Sequence, residues 1–456
     1  MLVRFNVANF LSFNSLQEFS MIGGSAKSKS HHVYDASDIR LLKFGAVFGA
    51  NASGKSNLIR AMQFARSIII DGIETVFTNL HFRLADEGWD KPSYFEFELQ
   101  LDGKCYAYGF EILLNKSELV SEWLFDRSPA GDTAIFERDL VNGTIRTELV
   151  ITQPAIKNRL DIYAEDLKDQ AGVLFLNEMN RNKAELYRES SPVTPIRAVY
   201  EWFRTSLSII ASDKPSPYYT YYYNSLDPEK ASRVMAAMGT GITGLKLAYA
   251  TMEEASALLP RQLANALERD INKLILNKKM NRLEDTPGIS LKVNDNIFLI
   301  SINDSLKPEV KTIVFEHGRR GTEFRFSEES DGTRRILDLL EILITEDRNK
   351  VYVIDEIDRS FHPQLTYRFI EAFLGLSKDR DTQLIVTTHE SRLLDFNLLR
   401  RDEIWFIEKN ENGESAIYSL EAYNERFDRV IDRAYLEGRY GGVPVFKSVF
   451  PFEEER

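Results

Sequence analysis

Two glycines, a lysine and a serine stand close together in the stretch "VFGANASGKSN", residues 47–57. Their spacing is GxxxxGK[ST], in which loop N–H groups and the positive end of the following helix bind phosphate oxygens. In this pattern Lys55 reaches the terminal phosphates of a nucleotide and the Ser56 hydroxyl binds Mg²⁺. The predicted phosphate loop comprises Gly49, Ala50, Asn51, Ala52, Ser53, Gly54, Lys55, Ser56 and Asn57.

A second stretch, "VYVIDE" at residues 351–356, ends in two adjacent carboxylates. Four largely apolar residues predict a buried strand, and ligands of open α/β sheets bind where the strands end. Asp355 would then hold Mg²⁺ through water, and Glu356 would orient and deprotonate an attacking water. Alone, the two acids also fit an ordinary turn at a strand end.

Two further stretches carry polar groups at element ends. In "FSEESDGTRRIL", Ser330 and Gly332 precede an amphipathic helix and fit either a second anion-binding helix N-terminus or a simple N-cap. In "QLIVTTHES", a buried strand delivers His389 to its carboxyl end, where an imidazole could contact a γ-phosphate. A lone strand-end histidine is more often structural.

The pattern of apolar residues predicts the elements that position these groups. "LLKFGAVFG" indicates a strand before the glycine loop, and residues 55–70 indicate a helix that buries one face. Residues 94–151 resemble strands of an antiparallel sheet, with "DG" and "NG" as turns. Beyond residue 330, helices alternate with short apolar strands, which is typical of a parallel sheet covered on both faces.

These patterns predict an α/β fold in which the two ends of the chain meet in one mixed sheet flanked by helices, with an added antiparallel β lobe. We assign residues 1–154 to the first part of this head, residues 155–285 to a mainly helical insertion and residues 286–456 to the second part. The insertion contains the tyrosine-rich stretch "DKPSPYYTYYYNSLDPEK", which could stack nucleic-acid bases but more often packs or meets a partner.

Composition narrows the functional classes. A 43% hydrophobic content in 456 residues suits a globular chain, and the net charge of -12 argues against a surface that binds nucleic acid everywhere. The single cysteine, Cys105, allows no internal disulfide, so a reducing cytoplasm is expected. No apolar run has the length that crosses a bilayer, and the first residues lack a signal-peptide pattern, so we predict a cytoplasmic protein without membrane contact.

Taken together and in this order, the motifs resemble the ATP-binding cassette (ABC) class of ATPases, in particular its SMC, RecF and OLD-nuclease branch. The resemblance rests on "NFLSF", "GANASGKSN", "ESDGTRR", "VIDEIDRSFHP", "VTTHES", "RRDEIWFIEKN" and "YLEGRYGGVP". It is strongest to the stand-alone AAA-type ATPase subunits of bacterial anti-phage and abortive-infection systems. The middle third is covered weakly, by "TGITGLKL".

The resemblance implies that two heads sandwich ATP and Mg²⁺, each site being completed by the signature segment of the other chain. It places Ser330 to Arg334 in that segment, Asp355 and Glu356 as metal-binding and catalytic acids, and His389 as the switch histidine. Asp358 and Ser360 fall on the segment that contacts the opposite subunit in relatives. The glutamine that senses Mg²⁺ in relatives has no clear counterpart, and His81 and Gln100 are the candidates.

The leading hypothesis is a Mg²⁺-dependent ATPase that forms a homodimer or a larger homo-oligomer and regulates an effector, a nuclease or toxin encoded nearby, in defence against phage. The alternative is a RecF/SMC-like DNA-binding ATPase in DNA repair, since "NKKMNRL" and "HGRRGTEFR" could form local basic faces that bind nucleic acid. A small-molecule kinase explains the glycine loop but leaves the signature segment and His389 unused.

Overall fold

The structure, a computed structural model, describes residues 1–26, 28–36, 39–73, 79–85, 87–187, 191–211, 228–257, 259, 261–280, 288–293, 296–345, 349–422 and 431–436. The chain forms two compact units. Unit 1 comprises Met1–Ala211, Asp347–Ile357 and Ser377–Arg456, and unit 2 comprises Ser212–Glu346 and Asp358–Leu376. All but the last three residues of the tyrosine-rich stretch, and most of "YLEGRYGGVP", lie outside the described residues.

A six-stranded sheet forms the centre of unit 1. Its order is β11-β17-β18-β5-β19-β20, and all neighbours are parallel except β19 and β20. Strands from the two ends of the chain therefore share one sheet, which confirms the predicted fold class. The strands are β5 (Phe44–Phe48), β11 (Leu207–Ile210), β17 (Val351–Ile354), β18 (Gln383–Thr388), β19 (Ile404–Lys409) and β20 (Ser415–Ser419).

Two antiparallel sheets contain the other strands described in unit 1. The larger has the order β10-β9-β8-β7-β6-β1-β2, and β3 pairs with β4 in the smaller. The antiparallel strands predicted over residues 94–151 are present as far as β10. The strands are β1 (Leu2–Ala8), β2 (Gln17–Ser20), β3 (Val33–Ala36), β4 (Ile39–Leu42), β6 (Ser93–Leu101), β7 (Lys104–Leu113), β8 (Glu118–Arg127), β9 (Thr133–Asp139) and β10 (Thr144–Arg146).

One buried polar side chain joins three of these strands. Gln383, the first residue of β18, accepts a hydrogen bond from the Leu2 N–H and donates to the Leu2 and Leu42 carbonyls. The pairing of β1 with β6 shifts register between Leu2 and Arg4, and Gln383 pairs backbone groups of Leu2 at this irregularity. A buried polar group without such partners would cost stability.

Helix α1 (Lys55–Asp71) follows the glycine loop, as its apolar spacing predicts. Its buried face contains Leu58, Ile59, Met62, Ala65, Ile68 and Ile69. The Asn177 amide caps its far end by donating to the carbonyls of Ile69 and Ile70 at 2.7 and 2.9 Å. The other α-helices described in unit 1 are α2 (Pro154–Leu167), α3 (Phe175–Met179), α4 (Thr194–Glu201) and α10 (Ile431–Leu436).

Unit 2 contains a five-stranded antiparallel sheet. The path is β12-β15-β14-β13, and β16 also pairs with β15. Its strands are β12 (Ile242–Ala250), β13 (Ile289–Val293), β14 (Asn296–Ile302), β15 (Pro308–His317) and β16 (Thr322–Arg325). Its helices are α5 (Pro228–Ala237), α6 (Met252–Ala257), α7 (Arg261–Lys279), α8 (Asp331–Ile344) and α9 (Pro363–Leu376).

The described part of the middle segment, residues 155–285, contains two strands besides its helices. Strand β11 joins the central sheet of unit 1, beside β17, while β12 belongs to unit 2. Its "mainly helical" description therefore leaves out a strand of the central sheet. Within the described residues, no helix is both long and apolar enough to span a bilayer.

Candidate nucleotide-binding site

The loop between β5 and α1 depends on glycine at both ends of its motif. A Cβ atom at Gly49 would lie 2.5 Å from the Ile407 carbonyl oxygen in β19, and one at Gly54 would lie 2.4 Å from the Ser415 hydroxyl. Gly54 also has φ of 118°, a conformation that residues with a Cβ rarely adopt. Any larger residue would therefore displace the loop.

The Lys55 side chain is buried along the inner side of this loop. Its ammonium group donates to the Gly49 and Ala50 carbonyls at 2.8 and 2.9 Å, and lies 3.2 Å from Nδ1 of His389. Strand β18 ends at Thr388, so His389 follows directly at the carboxyl edge of the parallel sheet. The structure thus brings Lys55 and His389 together, 334 positions apart in the chain.

Asp355 follows β17 and lies beside the first turn of α1. Its Oδ1 accepts hydrogen bonds from the Ser56 hydroxyl at 3.1 Å and from the Thr387 hydroxyl at 2.6 Å. Its backbone N–H donates to the Ile210 carbonyl at the end of β11. Asp355 is buried, and groups of the neighbouring strands hold it in place. Its carboxylate is oriented towards the Ser56 hydroxyl of the phosphate loop.

Glu356 has a backbone conformation that is uncommon for its residue type. Its φ is 50°, and its N–H donates to the Thr387 hydroxyl at 2.8 Å. The next N–H, of Ile357, donates to the Thr387 carbonyl. These bonds fix the left-handed turn, and the carboxylate Oε1 lies 3.9 Å from Nε2 of His389. Non-glycine residues in such conformations occur frequently at functional sites.

An open pocket of about 520 Å³ connects these groups. It is lined by Asn51, Ala52, Ser53, Gly54, Lys55, Ser56, Asn57, Glu356, His389 and Lys409. Sequence reasoning missed Lys409, the last residue of β19. The available signal was the stretch "EIWFIEKN", whose apolar run is one of the short strands predicted beyond residue 330, since parallel neighbours end at the same edge of a sheet. The candidates His81 and Gln100 do not line this pocket.

The predicted signature segment lies in unit 2, at the start of α8. The Ser330 hydroxyl caps this helix by accepting a hydrogen bond from the Thr333 N–H at 3.2 Å. Gly332 lies close to the chain that leads into α9, because a Cβ there would be 3.0 Å from the Ser360 carbonyl oxygen. Ser360 itself has φ of 65°. Within unit 2, the signature serine and glycine thus share a helix N-terminus.

A central parallel strand, a glycine loop, a lysine at the start of the next helix and an aspartate-glutamate pair after a strand of the same sheet define a P-loop ATPase domain. The family comparison agrees with this class. Residues 44–145 and 252–395 match a family described as "AAA domain, putative AbiEii toxin, Type IV TA system". The match covers more than half of the chain, and the chain belongs to this family of AAA ATPases.

Solved structures similar to the chain include three SMC head domains. The SMC head bound to the C-terminal winged-helix domain of ScpA is 15% identical, with a TM-score of 0.40, over 92% of this chain and 98% of that one. The SMC head from Thermotoga maritima is 14% identical, with a TM-score of 0.33 and the same coverage. A head with an extended coiled coil, bound to a ScpA domain derived from Pyrococcus furiosus, is 15% identical, with a TM-score of 0.39, over 92% and 97%. No curated protein matches the chain.

Proposed function

We propose that the chain is a Mg²⁺-dependent ATPase that dimerises around nucleotide and regulates a partner effector. The observation that carries the catalytic part is the hydrogen bond of 3.1 Å between the Ser56 hydroxyl and Asp355 Oδ1. These two groups lie 299 positions apart in the chain and meet beside the phosphate loop. A hydroxyl and a carboxylate in this place are the two protein ligands that an Mg²⁺–nucleotide complex uses in P-loop ATPases.

The phosphate loop binds the triphosphate through its N–H groups and Lys55. The start of α1 adds the partial positive charge of a helix N-terminus, which favours anions. The Lys55 ammonium group, now bonded to two carbonyls of the loop, can exchange one of these acceptors for a phosphate oxygen. Asn51 to Asn57 form the rest of the phosphate-facing surface, and Lys409 supplies a second positive charge in the same pocket.

The residues beside the loop fit Mg²⁺. Mg²⁺ prefers oxygen ligands and is usually held by one or two protein groups together with phosphates and water. Ser56 and Asp355 supply such oxygens, and the Thr387 hydroxyl orients the carboxylate. When bound, the ion neutralises charge on the β- and γ-phosphates.

Glu356 is the proposed general base. Its carboxylate accepts a proton from water, the resulting hydroxide attacks the γ-phosphorus, and the bond from the γ-phosphorus to the bridging oxygen of the β-phosphate breaks. His389 lies 3.2 Å from Lys55 Nζ and 3.9 Å from a Glu356 carboxylate oxygen, and its proposed role is to donate a hydrogen bond to the γ-phosphate. Glu356 is one-third exposed, so water can reach it.

The signature segment supports the dimer. Ser330 and Gly332 lie at the N-terminus of α8, and in the ABC class this segment completes the nucleotide site of the opposite chain. In such a dimer the α8 N-terminus of one copy would face the γ-phosphate bound to its partner, where the helix dipole favours negative charge. Two chains would then bury two nucleotides between them.

The proposed biological role is regulation of a nuclease or toxin in defence against phage. The family description, which names a toxin of a toxin–antitoxin system, supports an effector as the partner. ATP binding would assemble the dimer and hydrolysis would release it, so that the effector is switched by the nucleotide state.

The test replaces Glu356 by Gln in the full chain. We expect the rate of phosphate release to fall at least about 100-fold, as for loss of a general base, while ATP affinity stays within twofold of wild type. Nucleotide-bound dimers or larger assemblies should accumulate, as measured by light scattering after size exclusion. Glu408→Gln, at an exposed residue near the end of β19, is the matched control and should hydrolyse ATP normally.

Unchanged hydrolysis in Glu356→Gln would exclude Glu356 as the base. Hydrolysis without any nucleotide-dependent assembly would retain the ATPase and refute the dimer.

A further inference from the structure

We propose that Ser12 and Ser415 are positioning residues that hold the phosphate loop in its nucleotide-binding conformation. They do so through a hydrogen-bond relay that runs from Asn57 Nδ2 through the hydroxyls of Ser12 and Ser415 to the Ser53 carbonyl. We call these four groups the serine relay. The inference rests on the proposed function of the loop and adds two residues that lie outside its motif.

The two serines come from opposite ends of the chain. Ser12 belongs to "NFLSF", in the loop after β1, and Ser415 is the first residue of β20. Their hydroxyl oxygens lie 2.8 Å apart, across 403 positions, and the Ser415 N–H donates to the Ser12 carbonyl at 2.7 Å. Both residues are buried, at 5% and 0% exposure.

Both hydroxyls also bond to the phosphate loop. Asn57 Nδ2 donates to the Ser12 hydroxyl at 2.8 Å, and the Ser415 hydroxyl donates to the Ser53 carbonyl at 2.6 Å. Each hydroxyl carries one proton. Because Ser415 uses its proton on Ser53, the Ser12 proton must serve the contact between the two serines. Each donor in the relay then has one acceptor. The hydrogen bonds run in one direction, from Asn57 through Ser12 and Ser415 to Ser53.

The relay supports the loop at its most constrained residue. Ser53 and Asn57 flank Gly54, which has a positive φ. A Cβ at Gly54 would meet the hydroxyl oxygens of Ser415 and Ser12 at 2.4 and 2.9 Å, so the two serines lie directly against the loop backbone. They contact the loop but are absent from the residues that line the pocket. Their effect on nucleotide must therefore pass through the loop.

This arrangement explains why a polar residue occupies a buried place in "NFLSF". Alanine at either position would leave buried polar partners unsatisfied and would let the loop adopt other conformations. Nucleotide affinity should weaken because the N–H groups of the loop are no longer preorganised for phosphate. Losing one such hydrogen bond typically changes an equilibrium constant about fivefold.

The experiment measures Mg²⁺–ATP binding to the full chain by calorimetry for Ser12→Ala, Ser415→Ala and the double variant. We expect Kd to rise about fivefold in each single variant. Because the relay acts as one unit, the double variant should bind about as weakly as either single variant. The turnover at saturating ATP should stay within twofold of wild type, so that the loss appears in affinity and not in kcat.

Ser15→Ala is the matched control, because Ser15 is an exposed serine of the same loop that bonds to Glu414. It should bind ATP like wild type. Lys55→Ala separates the two hypotheses. If the wild type binds ATP and Lys55→Ala does not, the proposed function is supported whatever the result for the serine variants.

Wild-type affinity in either serine variant would overturn the relay, as would effects that multiply in the double variant. Should Ser415→Ala not fold, Ser415→Cys provides the same test, because a thiol has similar size but donates weakly. It should raise Kd at least about threefold, and wild-type affinity in Ser415→Cys would equally overturn the relay.

Discussion

Units 1 and 2 hold their candidate functional residues in different ways. In unit 1, side-chain hydrogen bonds join residues that are hundreds of positions apart, such as Ser56 with Asp355 and Ser12 with Ser415. In unit 2, Ser330 and Asp331 of the signature segment bond to near neighbours in the chain, Thr333 and Arg334. Unit 1 therefore has a candidate phosphate site fixed by its tertiary structure, whereas the N-terminus of α8 is capped by its neighbouring residue Ser330.

This difference agrees with the separate tasks that we propose. A site that must bind triphosphate needs groups fixed in advance, because each group left to be ordered weakens binding. A segment that acts on the nucleotide of another chain needs only to be presented, and an exposed N-terminal turn does this. Variants in the two units should therefore fail at different steps.

Among variants that test the difference between the two units, we expect the largest loss of ATP hydrolysis for Ser330→Arg. A bulky cation at the α8 N-terminus removes the cap and should obstruct the nucleotide of the opposite chain. We expect hydrolysis to fall about 100-fold, while the isolated chain binds ATP with wild-type affinity, as measured by phosphate release and calorimetry. Ser327→Arg, at an exposed serine just before the segment, is the control and should retain activity.

Mixing Ser330→Arg with Glu356→Gln adds a second readout. If the segment acts in trans, each mixed dimer contains one intact site, so an equal mixture should recover roughly a quarter of wild-type activity. Activity no higher than the sum of the two separate variants would show that the segment does not complete a partner's site.

A smaller effect, on stability, is expected for a change in the contact between the signature segment and the sheet of unit 2. Glu329, next to Ser330, is nearly buried and its Oε1 lies 2.6 Å from Nε2 of His317 in β15. Removing the imidazole leaves this carboxyl without its partner. We expect His317→Ala to lower the free energy of unfolding of this part of the chain by about 1–3 kcal/mol.

This loss is measured by titrating the chain with urea and following hydrogen exchange of residues 326–336 at each urea concentration. His362→Ala, at an exposed histidine of the same unit, is the control. Equal protection of the segment in wild type and His317→Ala would mean that local capping alone fixes it, which would make the difference between the two units even larger.

Much of the fold around the candidate site could be predicted from the sequence, because the patterns that indicate it are local. The glycine loop between a strand and a helix, the apolar face of α1 and the buried strand before Asp355 are patterns of neighbouring residues, and each is present in the structure. Ser330 was interpreted either as part of an anion site or as a simple N-cap, and its hydroxyl does cap α8. Its action on nucleotide stays a prediction.

The rest could not be predicted because it depends on the path of the chain. Lys409 lies in "RRDEIWFIEKN" and Ser415 lies just beyond it in the same hairpin, but nothing local indicates their contact with the phosphate loop. The pairing of β19 with β5 places them there. Ser12 lies within "NFLSF", a stretch of the resemblance, but nothing local indicates its bond to Ser415. Strand β11 joins the central sheet from a segment whose pattern is mainly helical, because parallel pairing with β17 outweighs that local pattern.

The most direct test of the central claim asks whether Ser56 and Asp355 hold the same Mg²⁺–ATP. Calorimetry of wild type, Ser56→Ala, Asp355→Asn and the double variant, each with and without Mg²⁺, measures how much the ion strengthens ATP binding. We predict that either single change removes most of this Mg²⁺ dependence, that the double variant loses no more, and that affinity without Mg²⁺ stays within about threefold of wild type. Full Mg²⁺ dependence in both single variants, or independent losses that multiply in the double variant, would contradict a shared site.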